Sequence, residues 1–200
     1  MMRVFLGSIA AVALFSSAAV AMPTVGQPAP AFTAVDSNGK PHSLADFKGR
    51  IVVLEWTNDG CPYVGKHYNS GNMQKLQQEA SASGVVWLSV ISSAPGKQGY
   101  VTGAEANTLT TSRNAHPTAV LLDPTGAVGR EYAAQTTPHM FVIDKTGVLR
   151  YMGAIDDKPI AAAASLTGAR NYVREALAEV ASGKPVAVAS TEPYGCSVKY

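Results

Sequence analysis

Short apolar runs alternate along the chain with segments of helical periodicity. The runs at 51–56, 85–91 and 118–123 are rich in β-branched and other apolar residues, which predicts buried strands. Helical spacing and good helix formers occupy the stretch from 62 to about 83 and the stretch 104–115. Strands that alternate with helices in this order predict an α/β fold.

The rest of the chain completes this α/β pattern and ends in a tail. Residues 183–200 contain prolines and lack helical spacing, which predicts an extended, flexible tail. The order of elements favours one domain with a mixed central sheet flanked by helices. The other predicted elements are a strand at 31–36 that opens an N-terminal hairpin, a short helix near 130–134, a hairpin of 140–144 and 148–152, a loop at 156–166 and a closing helix at 167–182.

The N-terminus has the pattern of an export signal. A basic start at Arg3 leads into a long apolar run, which ends in Ala19-Val20-Ala21, the small-x-small pattern that signal peptidase reads. We therefore predict a cleaved signal peptide over 1–21, a domain over 22–182 and the tail over 183–200. An uncleaved anchor is the alternative, and it also places the domain outside the cytoplasm.

Composition narrows the class of protein. The chain has 200 residues, of which 46% are hydrophobic, enough for one domain with a full core. Its formal net charge is +2 with both signs interspersed, so nothing indicates nucleic acid as a partner. The two cysteines are Cys61 and Cys196. In an exported protein a cysteine pair is often a structural disulfide, and this interpretation stays open here.

Cys61 has the placement of a reactive thiol. It lies where the strand at 51–56 has ended and the next helix begins, and Pro62 suits the first helical turn. Unpaired backbone N–H groups and the positive end of the helix dipole stabilise a thiolate there and lower its pKa. We predict that Cys61 is a nucleophile; a cysteine that only packs in the core is the alternative.

Motifs on both sides of Cys61 resemble those of the redoxin branch of the thioredoxin superfamily. The chain carries Trp56-Thr57-Asn58-Asp59-Gly60-Cys61-Pro62 where the family has W-x-x-x-x-C-P, and residues 136–144 match T-x-P-x-x-F-V-I-D. Residues 195–200 match the G-C-S-[IV]-K-[WY] ending of an exported, peroxiredoxin-like redoxin subgroup. The resemblance implies a thioredoxin-like fold.

The same resemblance implies roles for three further residues. Pro138 would be the cis-proline that packs against the active-site sulfur, and Thr137 would present its backbone to the substrate. Glu55, six residues before Cys61, matches the position of the buried carboxylate that relays protons in thioredoxins. A carboxylate in an otherwise apolar strand costs energy unless it is paired or protonated. A glutamate on a solvated strand edge is the alternative.

The chain departs from the family's patterns around its cysteine. Val64 stands where thioredoxins have their second active-site cysteine, so no disulfide forms within the motif. Asn58 and Leu54 stand where peroxiredoxins have a threonine and a proline, and the peroxidatic arginine expected near Pro138 is missing. The chain therefore lacks the motif that would by itself indicate peroxidase activity.

We interpret Cys196 as the replacement for the second active-site cysteine that the motif lacks. The tail is long enough to bring it to Cys61, where it would resolve an oxidised sulfur, and it is expected to keep an ordinary pKa. A permanent Cys61–Cys196 disulfide is the structural alternative. His67 and His139 could add positive potential at the sulfur, although each is more typical of a packed histidine. A soft-metal site of Cys61, Cys196 and His139 is chemically possible but lacks the Cys-x-x-x-Cys spacing of copper-delivery relatives.

The sequence thus predicts an exported, periplasmic thiol oxidoreductase that uses neither cofactor nor metal. Peroxide reduction through Cys61, with Cys196 as the resolving thiol, is the favoured activity, and reduction of protein disulfides is the alternative. A non-catalytic envelope protein that binds metal or is stapled by a disulfide is the alternative of another class. The resemblance implies a thioredoxin-like protein or a DsbD-type membrane transporter as electron donor.

Overall fold

The computed structural model describes residues 22–200, and the predicted signal peptide over 1–21 lies outside the described residues. Within 22–200, no helix is both long and apolar enough to cross a membrane. Short 3-10 turns occupy Leu44–Phe47 and Ala163–Leu166. The strands and helices are, in chain order, β1 (Thr33–Asp36), β2 (Pro41–Ser43), β3 (Val52–Trp56), α1 (Pro62–Asn69), α2 (Asn72–Ala82), β4 (Val86–Ile91), α3 (Gly103–Ser112), β5 (Ala119–Leu122), α4 (Ala127–Glu131), β6 (Thr136–Thr137), β7 (His139–Ile143), β8 (Leu149–Gly153), α5 (Tyr172–Ala181) and β9 (Cys196–Ser197).

Seven of these strands form one mixed sheet in the order β2-β1-β5-β4-β3-β7-β8. β3, β4 and β5 run parallel to one another, whereas β7 is antiparallel to β3 and β1 is antiparallel to β5. Every residue of β3 and β4 is buried, as the continuous apolar runs predicted. The mixed central sheet and the N-terminal hairpin of β1 and β2 are confirmed.

Apolar cores lie on both faces of this sheet. Along β3, Leu54 and Trp56 join one core, and Val53 joins the other, as the two-residue period of a strand requires. The core that contains Val53 is closed by apolar side chains of α1, α2 and α5. Cys61 belongs to this second core, so the candidate nucleophile sits at the edge of a packed interior.

The helix expected from 62 to about 83 is two helices. α1 ends at Asn69 and α2 begins at Asn72, because Gly71 takes a left-handed φ of +74° that an α-helix cannot continue through. The closing helix begins at Tyr172 rather than Thr167, where the Asn171 side chain accepts a hydrogen bond from the Arg174 amide and caps it. The short fourth helix covers 127–131, earlier than the predicted 130–134.

The tail after Gly183 is extended, as predicted, but it is held against the domain along its length. The Thr191 amide donates to the Met152 carbonyl at 3.1 Å, and the Val198 amide donates to the Gln135 carbonyl at 3.0 Å. Two of its residues form β9, which pairs with β6. The expectation of a flexible tail came from local composition, whereas long-range hydrogen bonds fix this segment.

Candidate active site

The chain turns sharply between β3 and α1 and places Cys61 at the helix start. The Asn58 side-chain oxygen accepts a hydrogen bond from the Gly60 amide at 2.9 Å, and the Asn58 carbonyl accepts one from the Cys61 amide at 3.2 Å. Cys61 has an extended backbone and is the N-cap of α1, with Pro62 in the first turn. The thiol therefore lies beside helix N–H groups that have no partner within the helix.

The sulfur of Cys61 faces the Thr137–Pro138 peptide bond, which is cis. When protonated, the Cys61 thiol donates to the Thr137 carbonyl oxygen, with 3.1 Å between Sγ and O. Cys61 is only 1% exposed. The structure thus brings together Cys61, Thr137 and Pro138, three of the five predicted site residues.

Cys196 completes the pair of thiols from β9, the strand that pairs with Thr137. In the antiparallel pairing of β6 and β9, Cys196 lies opposite Thr137, and 3.4 Å separate the Thr137 hydroxyl from the Cys196 carbonyl oxygen. Both cysteines are free thiols, Cys61 buried and Cys196 partly exposed. Two cysteines that are far apart in the sequence therefore both lie beside Thr137.

The pKa values of the two thiols are shifted in opposite directions. Burial alone would raise the pKa of Cys61, but hydrogen bonds from the Cys196 thiol, the Thr137 side chain and the Val64 amide outweigh it and lower that pKa. Burial, the hydrogen bond to Cys61 and the negative charge of the Cys61 thiolate raise the pKa of Cys196 to about 11. The expectation of an ordinary pKa for Cys196 is wrong, because the fold buries this thiol and also places the Cys61 thiolate beside it.

Glu55 is fully buried, so the solvated-edge interpretation is wrong. One carboxylate oxygen accepts a hydrogen bond from the Tyr68 hydroxyl at 2.8 Å, and the other accepts from Trp87 at 2.8 Å, Ser89 at 3.0 Å and Gln77 at 3.2 Å. Burial raises the pKa of Glu55, although these hydrogen bonds oppose the shift. Its bonds go to α1, α2 and β4, and its role as a proton relay stays a prediction.

A buried ionic cluster, which the sequence reasoning missed, anchors the tail close to Cys196. The Lys66 ammonium of α1 donates to the Lys158 carbonyl at 2.6 Å and to the Tyr194 hydroxyl at 3.2 Å. The Tyr194 hydroxyl in turn donates to Asp156 Oδ1 at 2.5 Å, and Lys66 lies 3.4 Å from the same carboxylate. The side chains of Lys66 and Asp156 are 0% and 1% exposed. No local sequence pattern predicts this cluster, because Tyr194 lies 128 positions after Lys66.

The two histidines of interest are buried and neutral at pH 7. Burial lowers the pKa of His67 and of His139 to about 4. His67 bonds to Asn72 through Nδ1 and to the Tyr194 hydroxyl through Nε2, and His139 Nδ1 accepts from the Gln135 amide. Neither therefore adds positive charge at the sulfur.

Metal binding finds no support in the part of the chain that the structure describes. No group of three or more His, Cys, Asp and Glu side chains within 22–200 is arranged to hold a metal ion. His139 packs against Phe141, with 4.4 Å between ring centroids and 38° between the ring planes.

Comparison with known proteins assigns this chain to a family. The family model described as Redoxin matches residues 24–167. An uncharacterized conserved protein from Geobacillus kaustophilus is 21% identical with a TM-score of 0.75, covering 90% of this chain and 93% of its own. A hypothetical protein from Sinorhizobium meliloti is 21% identical with a TM-score of 0.74, covering 88% and 94%.

A third similar structure is the thioredoxin domain of a thiol-disulfide oxidoreductase from Bacteroides vulgatus. It is 22% identical with a TM-score of 0.50, and the match covers 63% of this chain and 85% of that one. These structural likenesses show the thioredoxin-like fold. The search of curated proteins returned no match. On the match to the family model, which spans most of the chain, this protein belongs to the Redoxin family and is a thiol-dependent oxidoreductase.

Proposed function

We propose that this protein reduces peroxides through Cys61 and that Cys196 of the same chain is the resolving thiol. The observation that carries the proposal is the juxtaposition of the two free thiols beside Thr137. The lowered pKa of Cys61 suits a thiolate that attacks the substrate, and the raised pKa of Cys196 suits a partner that keeps its proton until the second step.

The first step is attack of the Cys61 thiolate on one peroxide oxygen. The sulfur–oxygen bond forms as the O–O bond breaks, so Cys61 becomes a sulfenic acid and the second oxygen leaves as hydroxide or alkoxide and takes up a proton. The Val64 amide and the Cys196 thiol, which stabilise the thiolate, hold the sulfur ready for this attack.

The second step joins the two sulfurs. Oxidation of Cys61 removes its negative charge, and with it two of the causes that raise the pKa of Cys196. Cys196 therefore becomes a better nucleophile only after Cys61 has reacted. It attacks the Cys61 sulfur, its proton leaves with the sulfenic hydroxyl as water, and a Cys61–Cys196 disulfide remains.

An external dithiol closes the cycle by reducing this disulfide and becoming a disulfide itself. A thioredoxin-like protein or a DsbD-type membrane transporter is the donor we propose. The export pattern at residues 1–21 supports a periplasmic location.

Reduction of protein disulfides is the second candidate, and one feature of the site favours it. Asn58, which stands where peroxiredoxins have a threonine, uses both atoms of its amide locally. Its nitrogen donates to the Gln98 carbonyl at 3.1 Å, and its oxygen accepts from the Gly60 amide. These bonds hold the side chain in the turn before Cys61 and leave it one amide hydrogen where the peroxiredoxin threonine offers a hydroxyl group.

The test is stopped-flow oxidation of the reduced protein by hydrogen peroxide, followed by mass spectrometry. We expect wild type to form an intramolecular Cys61–Cys196 disulfide after one equivalent, Cys196→Ser to accumulate sulfenic acid, and Cys61→Ser to be inert. A peroxide-inert wild type that exchanges rapidly with a model disulfide would favour the second candidate. A protein inert to both that loses much stability on reduction would be a stapled scaffold, since such a disulfide typically contributes about 2–4 kcal/mol.

A further inference from the structure

The last twelve residues, 189–200, form a strap that runs beside Thr137 and Cys61 of the candidate active site. The strap begins beside β8, where the Met152 amide donates to the Ala189 carbonyl at 3.2 Å. It ends at Tyr200, whose hydroxyl donates to the Ala134 carbonyl at 2.8 Å. In between, Tyr194 and Cys196 pack against the core cluster that contains Cys61, which is 1% exposed.

The buried ionic cluster fastens the strap next to Cys196. Tyr194 is the strap's member of this cluster, and its hydroxyl both donates to Asp156 and accepts from Lys66. Hydrogen bonds to charged groups are stronger than those between neutral ones, and a buried charge that loses a partner is costly. Tyr194 therefore acts as a latch on the segment that carries the second thiol.

The strap also occupies the strand edge nearest to the sulfur. β9 pairs with β6 at Thr136 and Thr137, and Thr137 is the residue whose carbonyl faces Cys61. Gly195 has a φ of +138°, and a side chain there would overlap the Thr137 carbonyl. Peptides commonly bind by adding a strand to an exposed sheet edge, and at β6 this chain supplies that strand itself.

We propose that the strap determines the substrate class: with the strap latched, small peroxides reach Cys61, and disulfides carried on a peptide backbone do not. A peroxide such as hydrogen peroxide presents two heavy atoms, whereas a peptide disulfide brings chain on both sides of each sulfur and has to displace β9. Reaction with a peptide disulfide requires release of Tyr194. The proposal rests on Cys61 as the nucleophile of the proposed function.

The experiment compares the rates at which two oxidants react with the reduced protein. One oxidant is hydrogen peroxide, and the other is a short peptide homodimer linked through one cystine. With the peptide dimer, the Cys61 thiolate attacks one sulfur and expels one peptide thiolate. Cys196 then attacks the Cys61 sulfur and releases the second peptide thiol, so peptide thiol release reports the reaction.

Two variants open the strap by different means, and one serves as a control. Tyr194→Phe removes the latch hydroxyl, and Gly195→Ala pushes β9 away from Thr137. Tyr100→Phe removes the hydroxyl of an exposed tyrosine outside the strap. Amide hydrogen exchange of Val198, which donates to Gln135, reports strap docking independently of any activity.

We expect the ratio of the peptide-disulfide rate to the peroxide rate to rise about tenfold or more in both strap variants, with faster exchange at Val198. Tyr100→Phe should match wild type. An unchanged ratio despite loss of protection at Val198 overturns the proposal, as does protection that persists in both variants. If peroxide oxidises Cys61 in none of the proteins, the proposed function fails, while peptide thiol release still tests the strap.

Discussion

Gly195 lies so close to Thr137 that a methyl group on its Cα would overlap the Thr137 carbonyl oxygen. This contact seats β9 on β6 and brings Cys196 opposite the residue that faces the Cys61 sulfur. The absence of a side chain at residue 195 is thus a condition for bringing the two thiols together.

We therefore predict that Gly195→Ala lifts β9 away from Cys61. Overpacking of this kind typically costs about 1–3 kcal/mol, and alkylation of Cys61 should become faster because the sulfur is uncovered. Gly39→Ala is the matched control, since Gly39 also has a positive φ but has open space where the methyl group would go. Alkylation followed site by site with mass spectrometry should leave that control like wild type. Equal Cys61 reactivity in both variants would show that β9 does not cover the sulfur.

The opposite acidities of the thiols give a second prediction. In Cys196→Ala the pKa of Cys61 should rise, because a hydrogen-bond donor to the thiolate is lost. In Cys61→Ala the pKa of Cys196 should fall from about 11, because the neighbouring negative charge is gone. Thiolate absorbance as a function of pH measures both values. Titration of Cys61 at or above the ordinary free-cysteine pKa of about 8.5 in wild type would contradict its role as an activated nucleophile.

Glu55→Gln separates a structural role of the buried carboxylate from a proton relay. In this variant an NH2 group replaces one carboxylate oxygen and faces side chains that themselves donate hydrogen bonds. A stability loss of about 1–3 kcal/mol is therefore expected whether or not Glu55 relays protons. A relay predicts, in addition, slower formation of the Cys61–Cys196 disulfide after oxidation. Ser89→Ala is the control, because it removes one hydrogen bond to Glu55 and keeps the carboxylate. Identical resolving rates in the two variants between about pH 6 and 9 would leave Glu55 a purely structural residue.

The buried Lys66–Asp156 pair should show strong energetic coupling. Lys66→Met leaves the Asp156 carboxylate buried without its cation, which typically costs about 3–5 kcal/mol. In the double variant Lys66→Met with Asp156→Leu the uncompensated charge is gone, and part of the lost stability should return. Denaturant unfolding of the four proteins of this cycle measures the interaction. Simple additivity of the two single changes would mean that the two side chains do not interact as an ion pair.

Buried neutral histidines make the fold sensitive to acid. The folded state depresses the pKa of His67 and His139 from 6.5 to about 4, so their neutral forms are favoured on folding. Their stabilising contribution is complete above pH 6.5 and is lost as the pH falls toward 4, by up to about 1.4 kcal/mol per pH unit for each histidine. His139→Gln should make the pH dependence of unfolding free energy shallower in this window. A slope as steep as that of wild type would show that the folded state does not depress the pKa of His139.

Local sequence determined the strand–Cys–Pro–helix junction and the buried central strands. A run of β-branched residues forms a buried strand with few alternatives, and the thiol at Cys61 follows from where that strand ends and where Pro62 permits a helix to begin. The Thr137–Pro138 peptide bond is cis, as the family's motif implied. These features depend on residues that are close together in the chain or on a recognisable motif.

Tertiary structure alone decided where the tail lies and what it does to the two thiols. Its composition indicated an extended segment, but its position depends on Tyr194 meeting Lys66 and Asp156, and on Gly195 meeting Thr137. The burial of Lys66 and the raised pKa of Cys196 have the same origin, since each reflects neighbours that are remote in sequence. Periodicity and propensity report the few residues on either side of a position, whereas burial and electrostatic environment are set by whichever segments the completed fold brings together.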